Sequence, residues 1–195
     1  MNLLLAAKIV WAVGVVGWYV IRIPFERKVK RERVIDARHR LRELVLLSCS
    51  TMGLGIIPLF WATSHVFDYA DYPYSVAQFG LGTLVFALSL WLFRRTHADL
   101  GRNWSVTLET RKKHELVATG VYAWVRHPMY SAFWLLAVAQ AFLLANWIAG
   151  LAGIVGWGIL FFLRVGHEER LMIDTFGRDY VDYMGRTKRV VPWVY

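Results

Sequence analysis

Hydrophobic residues run through this chain in segments of about twenty, the length that an α-helix needs to cross a bilayer. The first three segments are Leu3–Ile23, Leu44–Phe67 and Ser75–Phe93. A fourth, Met129–Leu163, would be roughly 50 Å long as a helix and therefore too long for one span. We predict that it turns at Asn146-Trp147 into a helical hairpin of spans four and five. The fold class is thus an all-α integral membrane protein with about five transmembrane helices.

Basic residues are distributed between these segments as membrane topology requires. Residues 22–42 carry nine Lys or Arg against three acidic residues, and residues 94–126 carry seven against three. The connection 67–75 has two Asp and no Lys or Arg. Since basic loops stay on the cytoplasmic side, we expect both basic segments and the C-terminus in the cytoplasm and the N-terminus outside. The net charge of +9 then reflects orientation and anionic lipid, and nucleic acid is not an expected partner.

Composition agrees with a membrane protein, because 57% of the residues are hydrophobic against roughly 45–50% in soluble domains. The N-terminal segment lacks a basic region and a small-residue cleavage site, so we expect a retained anchor rather than a signal peptide. The single cysteine, Cys49, has no Cys or His neighbours at zinc-site spacing, so no metal is expected.

The segment after Leu163 changes in character. Its apolar residues recur at helical intervals, which predicts one or two short amphipathic helices at the cytoplasmic interface, with Gly177 and Gly185 as stops. Within the fifth span, Gly150, Gly153 and Gly156 recur every third residue. This spacing predicts a groove for close helix packing.

Arg126-His127-Pro128 stands directly before the fourth span. Proline is favoured in the first turn of a helix, which puts His127 at about the N-cap. The free N–H groups of Met129 and Tyr130, with the helix dipole, would make an anion site. The alternative is a helix start that is anchored at the lipid headgroups, and Arg126 is expected to make such an anchor.

Arg164 and Glu168 lie one helical turn apart at the end of the fifth span. They could be a phosphate anchor with its salt-bridge partner, or they could join His127 in a site at the base of the hairpin. Tyr122, Trp124 and Tyr130 could supply faces for a flat ring. The sequence has no GxGxxG, P-loop, GxSxG or HExxH motif, which argues against a soluble-type nucleotide fold.

The stretch "HELVATGVYAWVRHPMY", followed by an apolar hairpin and then "RVGHEERLMIDTFGRDYVDYMGRTKRVVP", resembles the isoprenylcysteine carboxyl methyltransferase family. These are integral membrane methyltransferases. The chain looks most like the short prokaryotic members, which also carry a "DLGRNWS"-like stretch. The resemblance covers His97 to the C-terminus.

The resemblance implies S-adenosylmethionine as the cofactor and a set of matching positions that hold it. These positions are His114, Glu115, Leu116, Val117, Tyr122, His127, Pro128, Met129, Tyr130 and Glu168. The family's substrate-carboxylate arginine corresponds to Arg164, which is therefore the candidate substrate-binding and catalytic residue. A cofactor-contacting glutamine of eukaryotic members falls near Thr107, and that role is not carried over.

The implied activity is methyl transfer to the carboxylate of a lipophilic acceptor such as an S-isoprenylcysteine, within the membrane. The implied organisation is a three-helix membrane region (residues 1–93) and a catalytic core (residues 94–195) made of the cytoplasmic loop, the hairpin and a tail that covers the cofactor. Two alternatives stay open. The acceptor could be a phospholipid amine, a thiol or a small apolar molecule, or the protein could be a non-catalytic membrane scaffold.

Overall fold

The structure, a computed structural model, describes residues 2–29, 40–101 and 116–195. Its regular elements in these ranges are helices: α1 (Leu3–Val29), α2 (Arg40–Thr51), α3 (Ile57–Thr63), α4 (Val76–Leu100), α5 (Pro128–Leu143), α6 (Trp147–Phe176) and α7 (Arg178–Arg186). A π-helical turn, Met52–Ile56, joins α2 to α3. Short 3₁₀ segments lie at Asp68–Ala70 and Gly120–Ala123. The predicted all-α membrane fold is confirmed.

Four stretches are long and apolar enough to cross a membrane: Leu3–Phe25, Leu41–Thr63, Val76–Leu100 and Trp147–Phe176. Helix α5 is apolar but has only 16 residues, about 24 Å at 1.5 Å per residue. The count of five spans therefore stays a prediction.

The predicted turn at Asn146-Trp147 is confirmed, and the reason is local. Asn146 is the N-cap of α6, and its Oδ1 accepts hydrogen bonds from the N–H groups of Ile148 and Ala149 at 3.0 and 2.9 Å. Its Nδ2 donates to Asp71 Oδ1 at 2.7 Å, which ties the hairpin turn to the connection between α3 and α4. Asparagine is among the strongest N-capping residues, so the hairpin of α5 and α6 starts its second helix at this point.

The glycine groove predicted on α6 is also present. A Cβ at Gly156 would lie 2.5 Å from the carbonyl oxygen of Cys49 and 3.2 Å from Gly53 Cα. A Cβ at Gly153 would lie 2.9 Å from Leu54 Cδ2. The backbone of α2 and its π-turn thus approaches α6 as closely as small residues permit, which brings the start of α2 beside the end of the α6 membrane segment.

Two expectations for the C-terminal third are corrected. Residues 164–176 continue α6 without a break, so they do not form a separate helix. Only α7 (Arg178–Arg186) forms a separate short helix in this segment. Gly177 does end α6, with a positive φ of 58° that glycine adopts readily. Gly185 lies inside α7 and does not stop it. The predicted boundary between residues 93 and 94 falls within α4, and the functional division that it describes stays a prediction.

Candidate active site

The N-terminus of α5 lies against the C-terminal segment of the chain. His127 is the N-cap, as predicted, and Pro128 is the first helical residue. The backbone N–H of Arg126 donates to the carbonyl of Lys188 at 2.7 Å, and that of His127 donates to the carbonyl of Arg189 at 2.9 Å. Backbone hydrogen bonds therefore fix the Arg-His-Pro sequence against Lys188 and Arg189, about sixty positions later in the chain.

The Arg126 side chain is buried, so its predicted position at the lipid headgroups is wrong. Only 8% of the side chain is exposed. Its Nε and Nη2 donate to Glu169 Oε1 at 3.1 and 3.0 Å. Its Nη1 donates to the carbonyls of Met184, at 3.2 Å, and Thr187. Arg126 thus joins the start of α5 to α6 and to the end of α7.

Glu169 is the centre of this network, although it is not among the site residues predicted from the sequence. Arg189 Nη2 donates to Glu169 Oε2 at 2.7 Å, and His127 Nε2 lies 3.5 Å from Oε1. Hydrogen bonds to Glu169 raise the pKa of Arg189 above its usual value, although partial burial of the guanidinium opposes this rise. Two guanidinium groups therefore share one buried carboxylate. The sequence signal that could have identified Glu169 is the doublet Glu168-Glu169. Neighbouring residues of a helix point about 100° apart, so the two carboxylates must have different partners.

Glu168, the other member of the doublet, faces a cavity. Its Oε2 accepts a short hydrogen bond from the Tyr130 hydroxyl, and its Oε1 lies 3.8 Å from His127 Nδ1. The Tyr130 ring stacks on His127, with ring centroids 5.3 Å apart, and packs edge-on against Trp157. Tyr130 therefore orients the carboxylate that the sequence analysis assigned to the cofactor.

Arg164 lies in the wall of the same cavity, with 10% of its side chain exposed. Its Nη1 is 3.5 Å from Oε2 of Glu43, a residue in the first turn of α2. Glu168 follows Arg164 by one turn on α6, as predicted. The structure thus brings the candidate substrate arginine and the candidate cofactor carboxylate to one side of the cavity.

A second wall comes from the 3₁₀ segment that precedes α5. The N–H of Val121 donates to Asp99 Oδ2 at 2.9 Å, and the Tyr183 hydroxyl donates to the carbonyl of Tyr122 at 2.6 Å. Burial raises the pKa of Tyr183 to about 12, so this hydroxyl stays a donor well above neutral pH. Helices α4 and α7 therefore position Tyr122 from opposite sides.

The cavity has a volume of about 280 Å³. Six predicted site residues line it: Tyr122, His127, Met129, Tyr130, Arg164 and Glu168. Pro128 is buried at the start of α5. Leu116 and Val117 are half-buried, and the cavity wall formed by the described residues does not include them. His114, Glu115 and Thr107 lie outside the described residues.

Most of the remaining cavity lining is apolar, although Arg22 and His97 also belong to it. Val15 and Trp18 come from α1, and Leu47 and Leu54 come from α2 and its π-turn. Phe133 and Trp157 close the wall from the hairpin, with their rings stacked 4.3 Å apart. Charged side chains at the end of the hairpin and apolar side chains from several helices therefore line the same cavity.

Comparisons with known proteins find similarity to one family of membrane methyltransferases. Residues 80–174 match the profile described as the isoprenylcysteine carboxyl methyltransferase (ICMT) family. Protein-S-isoprenylcysteine O-methyltransferase B of Arabidopsis thaliana is 34% identical over 122 residues, which are 61% of this chain and 60% of that protein. The protein-S-isoprenylcysteine O-methyltransferase of Saccharomyces cerevisiae is 30% identical over 116 residues, 58% of this chain and 48% of that protein. The human protein of the same name is 31% identical over 96 residues, 48% of this chain and 34% of that protein. The chain thus spans 60% or less of the length of these relatives.

A solved structure of similar fold is described as the eukaryotic intramembrane Ras methyltransferase ICMT, without a monobody. It superposes with a TM-score of 0.53 at 23% identity, over 81% of this chain and 55% of that one. The likeness extends the shared fold beyond the residues that the profile matches. The profile and the relatives therefore make this chain similar to the isoprenylcysteine carboxyl methyltransferase family, and the solved structure shows a similar fold.

Proposed function

We propose that this protein is a membrane methyltransferase that uses S-adenosylmethionine to methylate the carboxylate of a lipophilic acceptor, such as an S-isoprenylcysteine. The observation that carries the proposal is one cavity in which Arg164, Glu168 and His127 form a polar end, while most of the remaining lining is aromatic or aliphatic. A site for an amphipathic acceptor needs both kinds of surface in one space.

The polar end fits S-adenosylmethionine in the chemistry of its donors and acceptors. Glu168 is a partly exposed carboxylate, 23% exposed, that can bind an ammonium or ribose hydroxyl group. His127 lines the cavity, and its Nδ1 lies 3.8 Å from Glu168 Oε1. The N-terminus of α5 presents amide donors suited to a carboxylate, and Tyr122 adds an aromatic wall. When bound, the cofactor supplies the methyl group, whose bond to the acceptor oxygen forms as its bond to sulfur breaks and leaves the electron pair on sulfur.

The chain's own residues would act mainly by orientation. A carboxylate is already ionised at neutral pH, so no general base is required. Arg164 would hold the acceptor carboxylate in the polar end of the cavity, while the apolar wall holds the lipid chain and excludes water. Alignment of this kind can lower a barrier by several kcal/mol without acid–base chemistry.

We also propose the orientation given by the basic segments, with the N-terminus outside and the site facing the cytoplasm. Five spans are required for this orientation, with α5 crossing as the short member of the hairpin. A lipidated acceptor could then reach the site from the cytoplasmic leaflet. Cysteine labelling at the two ends of the chain in intact and opened cells tests the orientation directly.

The central experiment combines cofactor binding with an acceptor panel. Calorimetry of S-adenosylhomocysteine with the purified protein in detergent should give saturable binding, and Glu168→Gln should weaken it at least about tenfold. With labelled cofactor, the protein should methylate a prenylated cysteine carboxylate in preference to a phospholipid amine or a thiol. Preferential transfer to the amine would replace the carboxylate proposal, and absence of cofactor binding by a folded protein would support a scaffold.

A further inference from the structure

Glu43, in the first turn of α2, lies outside residues 80–174 and belongs to none of the motifs that carry the family resemblance. Its Oε2 is nevertheless 3.5 Å from Nη1 of Arg164. The side chains are 13% and 10% exposed, respectively, so solvent screens their interaction only weakly. An acidic residue of the N-terminal region therefore stands beside the candidate acceptor arginine.

The preceding residue holds this pair in place. Arg42 Nη2 donates to the carbonyl of Leu163 at 2.6 Å, and its Nη1 lies 2.6 Å from Nε2 of His167. These contacts fasten the start of α2 to α6 on both sides of Arg164. The separation between the Glu43 carboxylate and the guanidinium is thus set by the packing of two helices.

The Glu43 carboxylate contacts Arg164 but does not line the cavity. Arg164 lines the cavity, whereas the wall that α2 contributes begins at Leu47, one turn beyond Glu43. The distance of 3.5 Å is longer than an ordinary N–H···O hydrogen bond, so the interaction is chiefly Coulombic. Glu43 would therefore affect an acceptor through the charge of Arg164 rather than by contact.

The chemistry of methyl transfer gives this charge a consequence. As the ester forms, the carboxylate loses its negative charge, so the transition state carries less charge on oxygen than the bound acceptor does. A strong cation beside the carboxylate would stabilise the bound acceptor more than the transition state, which tightens binding and slows the reaction. A nearby anion opposes both effects.

We infer that Glu43 is a positioning residue that moderates the hold of Arg164 on the acceptor carboxylate and keeps the attacking oxygen nucleophilic. This inference rests on the proposed function. It assigns a role in the reaction to α2, whose sequence carries none of the family motifs.

The test is Glu43→Gln, which removes the charge and keeps the shape of the side chain. We expect KM for an N-acyl S-prenylcysteine to fall about tenfold and kcat to fall by a similar factor, since one charge beside a largely buried site is worth at least about a factor of ten. Calorimetric binding of the same acceptor, with S-adenosylhomocysteine present so that no turnover occurs, should tighten about tenfold. Binding of S-adenosylhomocysteine alone should stay unchanged.

A second variant and a control distinguish the effect of the Glu43 charge from a general loss of structure. Glu43→Asp moves the charge one methylene away from Arg164 and should shift KM and kcat in the same direction by a smaller factor. Asp182→Asn, which removes an exposed charge on α7, should change neither. A purely structural role for Glu43 predicts weaker acceptor binding together with lower kcat, and that result, or no change in either constant, would overturn the inference.

The two proposals fail differently. If the wild-type protein binds S-adenosylhomocysteine but transfers no methyl group to any carboxylate acceptor, the proposed function is overturned, and the role of Glu43 with it. If the wild-type protein methylates a carboxylate and Glu43→Gln does not tighten acceptor binding, the proposed function stands and only the inference about Glu43 is lost.

Discussion

Arg126 and Glu169 form a buried ion pair in which Nη2 and Nε of the guanidinium lie 3.0 and 3.1 Å from one carboxylate oxygen. The pair joins the segment that precedes α5 to the part of α6 beyond its apolar segment, 43 positions away. Arg189 binds the same carboxylate from the C-terminal segment. The polar end of the cavity is therefore supported by a charge network that connects three separate parts of the chain.

Arg126→Gln should destabilise this network, because it removes a positive charge and leaves the carboxylate with one guanidinium. The loss of one partner of a buried ion pair costs about 3–5 kcal/mol, so the unfolding temperature should fall by several degrees. The single thiol, Cys49, is half-buried, and its reaction with a fluorogenic maleimide during heating reports unfolding. Arg178→Gln, on the exposed start of α7, is the matched control. An unchanged unfolding temperature in Arg126→Gln would contradict a structural role for the pair.

Local sequence predicted the helices well because their signals are local. Long apolar runs define the membrane helices, and Asn146 marks the hairpin turn through its own side-chain capping bonds. Arg126 could not be placed in the same way. Its sequence neighbours suggest that Arg126 lies at a membrane surface. Its contact with Glu169 instead depends on the packing of α5 against α6, which local sequence does not reveal.

The same reason explains what the sequence missed in the site. Glu43 belongs to a helix without family motifs, and only the close packing of α2 on α6 brings it to Arg164. The π-helical turn Met52–Ile56 carries no pattern that distinguishes it from an α-helix. By contrast, His127 and Glu168 stand out from local sequence, as an N-cap and as the residue one turn after Arg164, and the structure places them 3.8 Å apart at their nearest polar atoms.

Arg164→Lys should separate acceptor binding from cofactor binding. Lysine keeps the charge but loses the planar pair of donors that binds a carboxylate in two places. We expect kcat/KM for the prenylated acceptor to fall about 100-fold, while calorimetric affinity for S-adenosylhomocysteine changes less than about twofold. Arg170→Lys, on an exposed position of the same helix, should leave both unchanged. A parallel loss of cofactor affinity in Arg164→Lys would show that the arginine serves both ligands.

Tyr130→Phe should weaken cofactor binding through Glu168. The tyrosine hydroxyl donates to this carboxylate, and hydrogen bonds to charged groups contribute about 1.5–3 kcal/mol. Without it, the Glu168 side chain is held less firmly, and affinity for S-adenosylhomocysteine should fall about tenfold. In a double-mutant cycle, Tyr130→Phe should add little to the effect of Glu168→Gln, because both remove the same interaction. Fully additive losses would contradict the orienting role, and Tyr69→Phe, 79% exposed, serves as the control.

Gly156→Ala should disrupt the contact between α2 and α6. The added methyl group would lie 2.5 Å from the Cys49 carbonyl oxygen, a backbone atom that cannot rotate away. Forced separation of two packed helices costs about 1–3 kcal/mol, and it would also move Glu43 away from Arg164. Gly166→Ala, on the same helix, has no atom within 4 Å of the new Cβ and should be neutral or slightly stabilising because alanine favours helix. Thermal unfolding of the two variants side by side tests this, and equal unfolding temperatures would show that the helices do not pack as closely as the structure has them.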